Sequence, residues 1–207
     1  MKIERTTLCC ITSDSSCPVA QAEKALKGGA TMIQLRRKSA SGSELYEWSK
    51  SIQELCRAHN AIFIVNDRLD IALAANADGV HLGQEDLPAD AAKKLLGKDK
   101  ILGVSVSSVT EAEKAGRSGA DYVGFGHIYP TASKQKSCRP VGPDSITEVV
   151  RALLLPVIAI GGITLDNVCE VINAGASGVA VISAVAEAPD PEKATSLLKQ
   201  KMLSCLQ

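Results

Sequence analysis

Ser118-Gly119-Ala120-Asp121, followed at once by Tyr122-Val123-Gly124-Phe125-Gly126, reads as the end of a helix, a tight turn and the start of a buried strand. A glycine just past a helix suits the left-handed cap that turns the chain, and a short apolar run bounded by turn residues suits a strand. The phrase returns as Lys27-Gly28-Gly29-Ala30, Ala75-Asn76-Ala77-Asp78-Gly79 and Asn173-Ala174-Gly175-Ala176-Ser177-Gly178. Such recurrence is a weak internal repeat, as expected if one strand–helix unit is copied around a barrel.

Working outward from these junctions, short apolar runs rich in Val and Ile predict eight strands: Leu8–Thr12, Thr31–Arg36, Ile62–Asn66, Gly79–Leu82, Ile101–Ser105, Tyr122–Gly126, Val157–Ile160 and Gly178–Ile182. Helical patterns fall at Pro18–Lys27, Ser43–His59, Leu69–Ala75, Ala89–Leu96, Val109–Ser118, Ile146–Leu153, Asp166–Asn173 and Glu192–Leu203, which makes eight helices. Strict alternation calls for a parallel sheet. A doubly wound open sheet is the competing arrangement, but eight units with nothing left over fit closure better. The expectation is one α/β domain over residues 1–207, a (β/α)8 TIM barrel.

Composition narrows the function. With 207 residues the chain can bury one substantial core. No apolar run reaches the roughly 20 residues of a membrane span, and Met1 to Thr7 lacks the pattern of a secretory signal. No membrane role and a cytoplasmic setting are therefore expected. Lys+Arg and Asp+Glu balance at 23 each, which argues against nucleic acid as a partner and makes any charge-based recognition local. The seven cysteines contain no Cys-x-x-Cys pair, so neither a zinc site nor a disulfide framework is expected. Cys9, Cys10, Cys56 and Cys169, in apolar surroundings, read as buried thiols. The sequence allows a homo-oligomer without specifying one.

Barrel enzymes carry their chemistry where strands run out into βα loops, and here polar residues gather at those ends. Alternation puts Gln34, Arg36 and Lys38 on one side if the strand persists, so two cations reach the mouth. A guanidinium matches phosphate oxygens with its forked donors, although a structural ion pair would also satisfy it. Asp67 and Asp86 follow consecutive strands; together they suggest Mg2+ shared with a diphosphate, whereas singly either could cap the next helix. Gly161, Gly162 and Ser183 suggest a second anion site, where strands 7 and 8 of barrels often hold a phosphate, unless the glycines serve only a tight turn. The loop from His127 to about Pro140, with Thr131, Ser133 and Lys134, is long enough to act as a lid.

With these segments in place the sequence closely resembles the thiamine phosphate synthase family, along essentially the whole chain. The matching motifs are Gly28-Gly29-Ala30-Thr31 leading to Gln34-Leu35-Arg36-Arg37-Lys38, Val65-Asn66-Asp67, Gly79-Val80-His81-Leu82-Gly83-Gln84-Glu85-Asp86, Gly103-Val104-Ser105, Tyr129-Pro130-Thr131-Ala132-Ser133-Lys134, Ile160-Gly161-Gly162-Ile163 and Val181-Ile182-Ser183. The resemblance implies a Mg2+-dependent transferase of thiamine biosynthesis. Its small-molecule partners would be a hydroxymethylpyrimidine diphosphate and a thiazole phosphate, or the carboxylate form of the latter. Gln34 would contact the pyrimidine, Arg36, Lys38, Asn66 and Lys134 the diphosphate, and Asp67 and Asp86 the Mg2+. Thr131, Ser133, Gly162, Ile182 and Ser183 would hold the thiazole phosphate. Ser105, Lys134 and Arg36 are the catalytic candidates, with Ser105 near the breaking bond.

Three positions depart from the family pattern. Ser133 stands in place of a second threonine, Val106-Ser107 in place of a small residue and histidine, and His127 in place of a proline. In the related thiazole tautomerases a histidine occupies this last position, so a tautomerase using His127 as acid and base is one alternative. A ligand-sensing regulator without catalysis is another. Retention of Arg36, Lys38, Asn66, Asp67, Asp86 and Lys134 speaks for the synthase.

Overall fold

Eight parallel strands close on themselves in chain order, β1 pairing with β8, so the expected TIM barrel is found. The computed structural model describes residues 3, 6–131 and 139–206. The elements run β1 (Thr7–Ile11), α1 (Pro18–Lys27), β2 (Met32–Leu35), α2 (Gly42–Ala58), β3 (Ile62–Asn66), α3 (Leu69–Ala74), β4 (Gly79–Leu82), α4 (Ala89–Leu96), β5 (Ile101–Val106) and α5 (Val109–Arg117). They continue with β6 (Tyr122–Gly126), α6 (Asp144–Ala152), β7 (Val157–Ile160), α7 (Val168–Asn173), β8 (Gly178–Val181), α8 (Ser183–Ala186) and α9 (Pro191–Ser204). The described residues thus form nine helices, not eight. The apolar segment that opens at Ser183 supplies the additional four-residue helix.

Local signals explain where helices begin. Ser41 and Glu44 form a capping box at the start of α2, Ser108 accepts from the Glu111 N–H at α5, and Asp190 accepts from the Lys193 N–H at α9. Each satisfies donors that an uncapped first turn would leave orphaned.

The repeated junction phrase turns out to be a bracing device. The residue just before each even-numbered strand uses its side-chain oxygen to accept the N–H of a residue in the preceding strand. Thr31 takes Leu8, Asp78 takes Phe63, Asp121 takes Leu102 and Ser177 takes Val157, at 3.0, 2.8, 2.7 and 3.3 Å. Four strand pairs are tied in the same way at the end of the barrel opposite its mouth, which is why the phrase recurs. Asp121 also meets the Lys93 ammonium at 2.7 Å.

Strand alternation divides the core in two. Cys9, Ile11, Met32, Ile62, Ile64, Tyr122, Ile158 and Ala180 fill the barrel interior, while Leu8, Cys10, Ile33, Leu35, Phe63, Val65 and their counterparts pack outward against the helices. Toward the C-terminal ends, the inward positions turn polar at Gln34, Asn66, His81 and Ser105. Among the described residues no helix is long and apolar enough to cross a membrane.

The cysteine expectation needs correction at one pair. Cys169 in α7 and Cys205 just past α9 form a disulfide across 36 residues. It arises because α9 packs against α7, a contact that cysteine spacing does not encode. Cys9, Cys10 and Cys56 are free and buried as expected, and Cys17 is free and exposed.

Candidate active site

A cavity of about 870 Å3, counting the part open to solvent, occupies the mouth of the barrel and reaches down to Cys9, Tyr122 and Ile158. Gln34, Arg36, Asn66, Asp67, Ser105, His127, Thr131 and Ile182 all line it. Residues from strands and loops around the whole barrel, distant in sequence, are therefore gathered on one surface.

The β2 side is built first. Thr12, one residue past β1, accepts the Arg36 N–H at 2.9 Å and donates to the Arg36 carbonyl at 3.2 Å, and its own N–H bonds Gln34 O at 3.0 Å. This pins the chain just beyond β2. Gln34, buried, donates through Nε2 to Asn66 Oδ1 at 2.8 Å. Beside them the Arg36 guanidinium makes no ion pair among the described residues, and its Nε is buried without a hydrogen-bond partner among them. A buried charge-bearing donor without a partner is costly, which argues against the structural ion pair and for a ligand with acceptor oxygens. Arg37 does not line the cavity and pairs with Asp14 instead.

Lys38 behaves differently. The strand stops at Leu35, so extension does not carry through to Lys38, which lies exposed in a turn and does not line the cavity.

Neither aspartate occupies a helix N-cap position. The N-cap positions of α3 and α4 are Arg68 and Pro88, without side-chain caps. Asp67 has φ 62°, a left-handed conformation that Asp tolerates better than most residues, and its N–H extends the ladder to His81 O at 2.9 Å. Asp86 accepts the Gly83 N–H through Oδ2 at 2.6 Å, and its Oδ1 makes no hydrogen bond among the described residues. Asp67 and Gly83 line the central cavity, and Asp86 lines an adjoining one with Gly83.

A second chamber of about 800 Å3, again partly open, lies over β7 and β8 and is lined by Gly161, Gly162, Thr164, Ile182, Ser183 and Glu187 among others. It shares Thr131, Ile160, Gly161, Ala180 and Ile182 with the first, so the two adjoin along these residues. Gly162 is required by its backbone: φ is 66°, and a Cβ there would lie 2.5 Å from the Pro130 carbonyl. Asn167 donates to the Gly162 carbonyl at 2.9 Å and holds the turn.

The loop after β6 is anchored at both ends. Val141 and Gly142 donate to the His127 and Ile128 carbonyls at 3.0 and 3.1 Å, and the Tyr129 hydroxyl donates to Glu170 of α7 at 2.5 Å. His127 is buried against the cavity. Ser133 and Lys134 lie outside the described residues.

Three features went unread in the sequence. Thr12 is a strand-end polar residue of the same kind as Gln34 and Ser105, and its place in the site shows only in its pairing with Arg36. The Glu170 contact of Tyr129 joins distant segments and had no local signal. The third is a buried row in which His81 Nδ1 meets the Tyr122 hydroxyl and His81 Nε2 meets Ser105 Oγ, each at 2.9 Å; only strand register could have shown it. On the cavity floor, burial pushes the Cys9 thiol well above its ordinary value, so it is a packing group and not a nucleophile.

Comparison with known proteins agrees with this geometry. The family model for thiamine monophosphate synthase matches residues 8–185. A thiamine-phosphate synthase of Chlorobium limicola is 65% identical over 89% of this chain and 88% of its own length. Another, from Moorella thermoacetica, is 52% identical over 85% and 84%. The solved structure of a thiamine phosphate pyrophosphorylase from Pyrococcus furiosus superposes with a TM-score of 0.92 at 42% identity, covering 99% of both chains.

Proposed function

The chain belongs to the thiamine monophosphate synthase family and makes thiamine phosphate, and we propose that it does so by joining a hydroxymethylpyrimidine diphosphate to a thiazole phosphate across these two chambers. The C–O bond between the pyrimidine methylene and the diphosphate breaks, and its electron pair leaves with the diphosphate. The thiazole nitrogen then gives its lone pair to the methylene cation, and the positive charge ends on the thiazolium ring. Such a reaction needs charge neutralisation and orientation more than a general base. The wall is built accordingly.

The observation that carries this reading is Arg36, whose buried Nε has no partner among the described residues while the Gln34–Asn66 pair stands beside it. Arg36 and Asn66, with Lys134, take the diphosphate; Gln34 orients the pyrimidine. Ser105 donates toward the bond that breaks. The thiazole phosphate sits in the second chamber against Thr131, Gly162, Ile182 and Ser183, and Ser133, outside the described residues, would add its hydroxyl.

The donor set near Gly83 fits Mg2+. Two carboxylates of hard oxygen, neither used as a cap, are what Mg2+ commonly takes alongside phosphate oxygens and water. No group of three or more His, Cys, Asp or Glu able to hold a metal lies together among the described residues, which suits an ion completed by its substrate. Asp67 and Asp86 would hold it, and when bound it would neutralise charge on the departing diphosphate. A cytoplasmic setting follows from the biosynthetic role of the family.

The tautomerase and regulator alternatives draw no support from the comparisons, where relatives at 65% and 57% identity are named synthases. Titration calorimetry with inorganic diphosphate and Mg2+ tests the anion site. Arg36→Ala is expected to weaken binding at least roughly tenfold, since a charge-assisted contact is worth about 1.5–3 kcal/mol; unchanged affinity would refute the assignment.

A further inference from the structure

Ser105 belongs to a row that crosses three neighbouring strands on the inside of the barrel. Tyr122 of β6 contacts His81 of β4, and His81 contacts Ser105 of β5, with the imidazole between the two hydroxyls. The barrel makes room for this row. A Cβ at Gly103 would fall 2.2 Å from Tyr122 Cζ, and a Cβ at Gly124 would fall 2.8 Å from His81 Cε1. Gly103 faces Tyr122 across the β5–β6 register and Gly124 faces Ser105, so the small residues are where the two rings need them.

The direction of the hydrogen bonds follows from the buried end. Tyr122 is 2% exposed, and its hydroxyl has His81 as its one hydrogen-bond partner among the described residues. Burial, with the neighbouring Cys9 thiol adding to it, pushes this hydroxyl well above its ordinary value, so the phenol keeps its proton. A buried O–H that did not donate would bear its whole desolvation cost with nothing in return. Tyr122 therefore donates to Nδ1. A neutral imidazole whose Nδ1 accepts carries its proton on Nε2. Nε2–H in turn donates to Ser105 Oγ, and the Ser105 hydrogen is left to point into the cavity.

We infer that Tyr122 and His81 are positioning residues that lock the imidazole in its Nε2–H form and so make Ser105 a fixed hydrogen-bond donor toward the cavity. Its acceptor is the oxygen that gains negative charge as the C–O bond breaks. The role in turnover rests on the proposed place of Ser105 near that bond, whereas the tautomer does not.

The tautomer is read directly by NMR of the ligand-free protein labelled with 15N-histidine. The chain holds three histidines, and loss of signals in His81→Gln identifies the one in question. A neutral ring protonated on Nε2 is expected. A proton on Nδ1, or a doubly protonated ring, would overturn the inference.

Kinetics test the consequence. Tyr122→Phe is expected to lower kcat about 10-fold to 100-fold, as loss of an outer partner commonly does, with KM for both substrates unchanged. In a Ser105→Ala background the same change should have no further effect. His81→Gln, which offers an amide N–H near the place of Nε2–H, should recover much of the turnover that His81→Leu loses. A Tyr122→Phe loss of equal size with and without Ser105 would overturn the positioning role alone. Full turnover in Ser105→Ala would overturn the reading of Ser105 and that role with it.

Discussion

Gln34 Nε2 donates to Asn66 Oδ1 at 2.8 Å across the mouth of β2 and β3. The bond fixes which way both amides face, because the Gln34 carbonyl oxygen and the Asn66 NH2 are then the ends left to meet a substrate. Asn66→Ala removes the acceptor and frees the Gln34 amide to turn. Loss of one such bond is worth about 1 kcal/mol, and loss of the direct contact more, so KM for the pyrimidine diphosphate should rise roughly tenfold. Steady-state kinetics with that substrate varied checks this; an unchanged KM would show that the pair is structural.

Asp67 and Asp86 give a sharper prediction. Asn at either position keeps the shape and removes the charge that a divalent cation requires. Turnover of Asp67→Asn and of Asp86→Asn should be abolished at ordinary Mg2+ concentrations, and the weakened metal affinity should show as partial recovery at high Mg2+. Full activity in either variant would refute its part in a metal site. Thermal unfolding of the same variants separates this from misfolding, and an unchanged melting temperature is expected because neither aspartate is the N-cap residue of α3 or α4.

The Cys169–Cys205 disulfide ties α7 to the end of α9, and neither cysteine lines either chamber. A closed loop of this length stabilises by about 2–4 kcal/mol, chiefly through the unfolded chain. Urea unfolding with and without reductant, or of Cys205→Ser, should show a loss of that order. The kcat of the folded protein should stay the same, since neither cysteine is among the residues that line the two chambers. Under reducing conditions the two sulfurs are expected as thiols, and the activity of the folded protein is expected to persist without the bond. Loss of activity on reduction, at temperatures where the protein remains folded, would contradict this.

How much could be read beforehand depends on how local each signal is. The barrel was legible because the Gly-Ala-Asp type of junction and the alternating apolar runs are local features repeated along the chain. Even so, the bracing of Leu8 by Thr31 and of Phe63 by Asp78 explains the phrase only once the strands are adjacent. Gln34, Asn66 and Ser105 were found because inward polar positions at strand ends need only a period of two. Lys38 shows the limit of that rule: the strand ends three residues before it, and alternation ceases to apply. The His81–Tyr122 contact and the Cys169–Cys205 bond depend on register and helix packing between segments far apart in sequence. Spacing alone carries neither.

The synthase reading itself meets its most direct test in one reaction. The purified chain is incubated with the hydroxymethylpyrimidine diphosphate, the thiazole phosphate and Mg2+, and thiamine phosphate and diphosphate are quantified together. Equal amounts of both products are expected, with neither formed in Arg36→Ala at comparable rate. No thiamine phosphate from the folded, wild-type chain, with tautomerisation of the thiazole carboxylate phosphate intact, would contradict it.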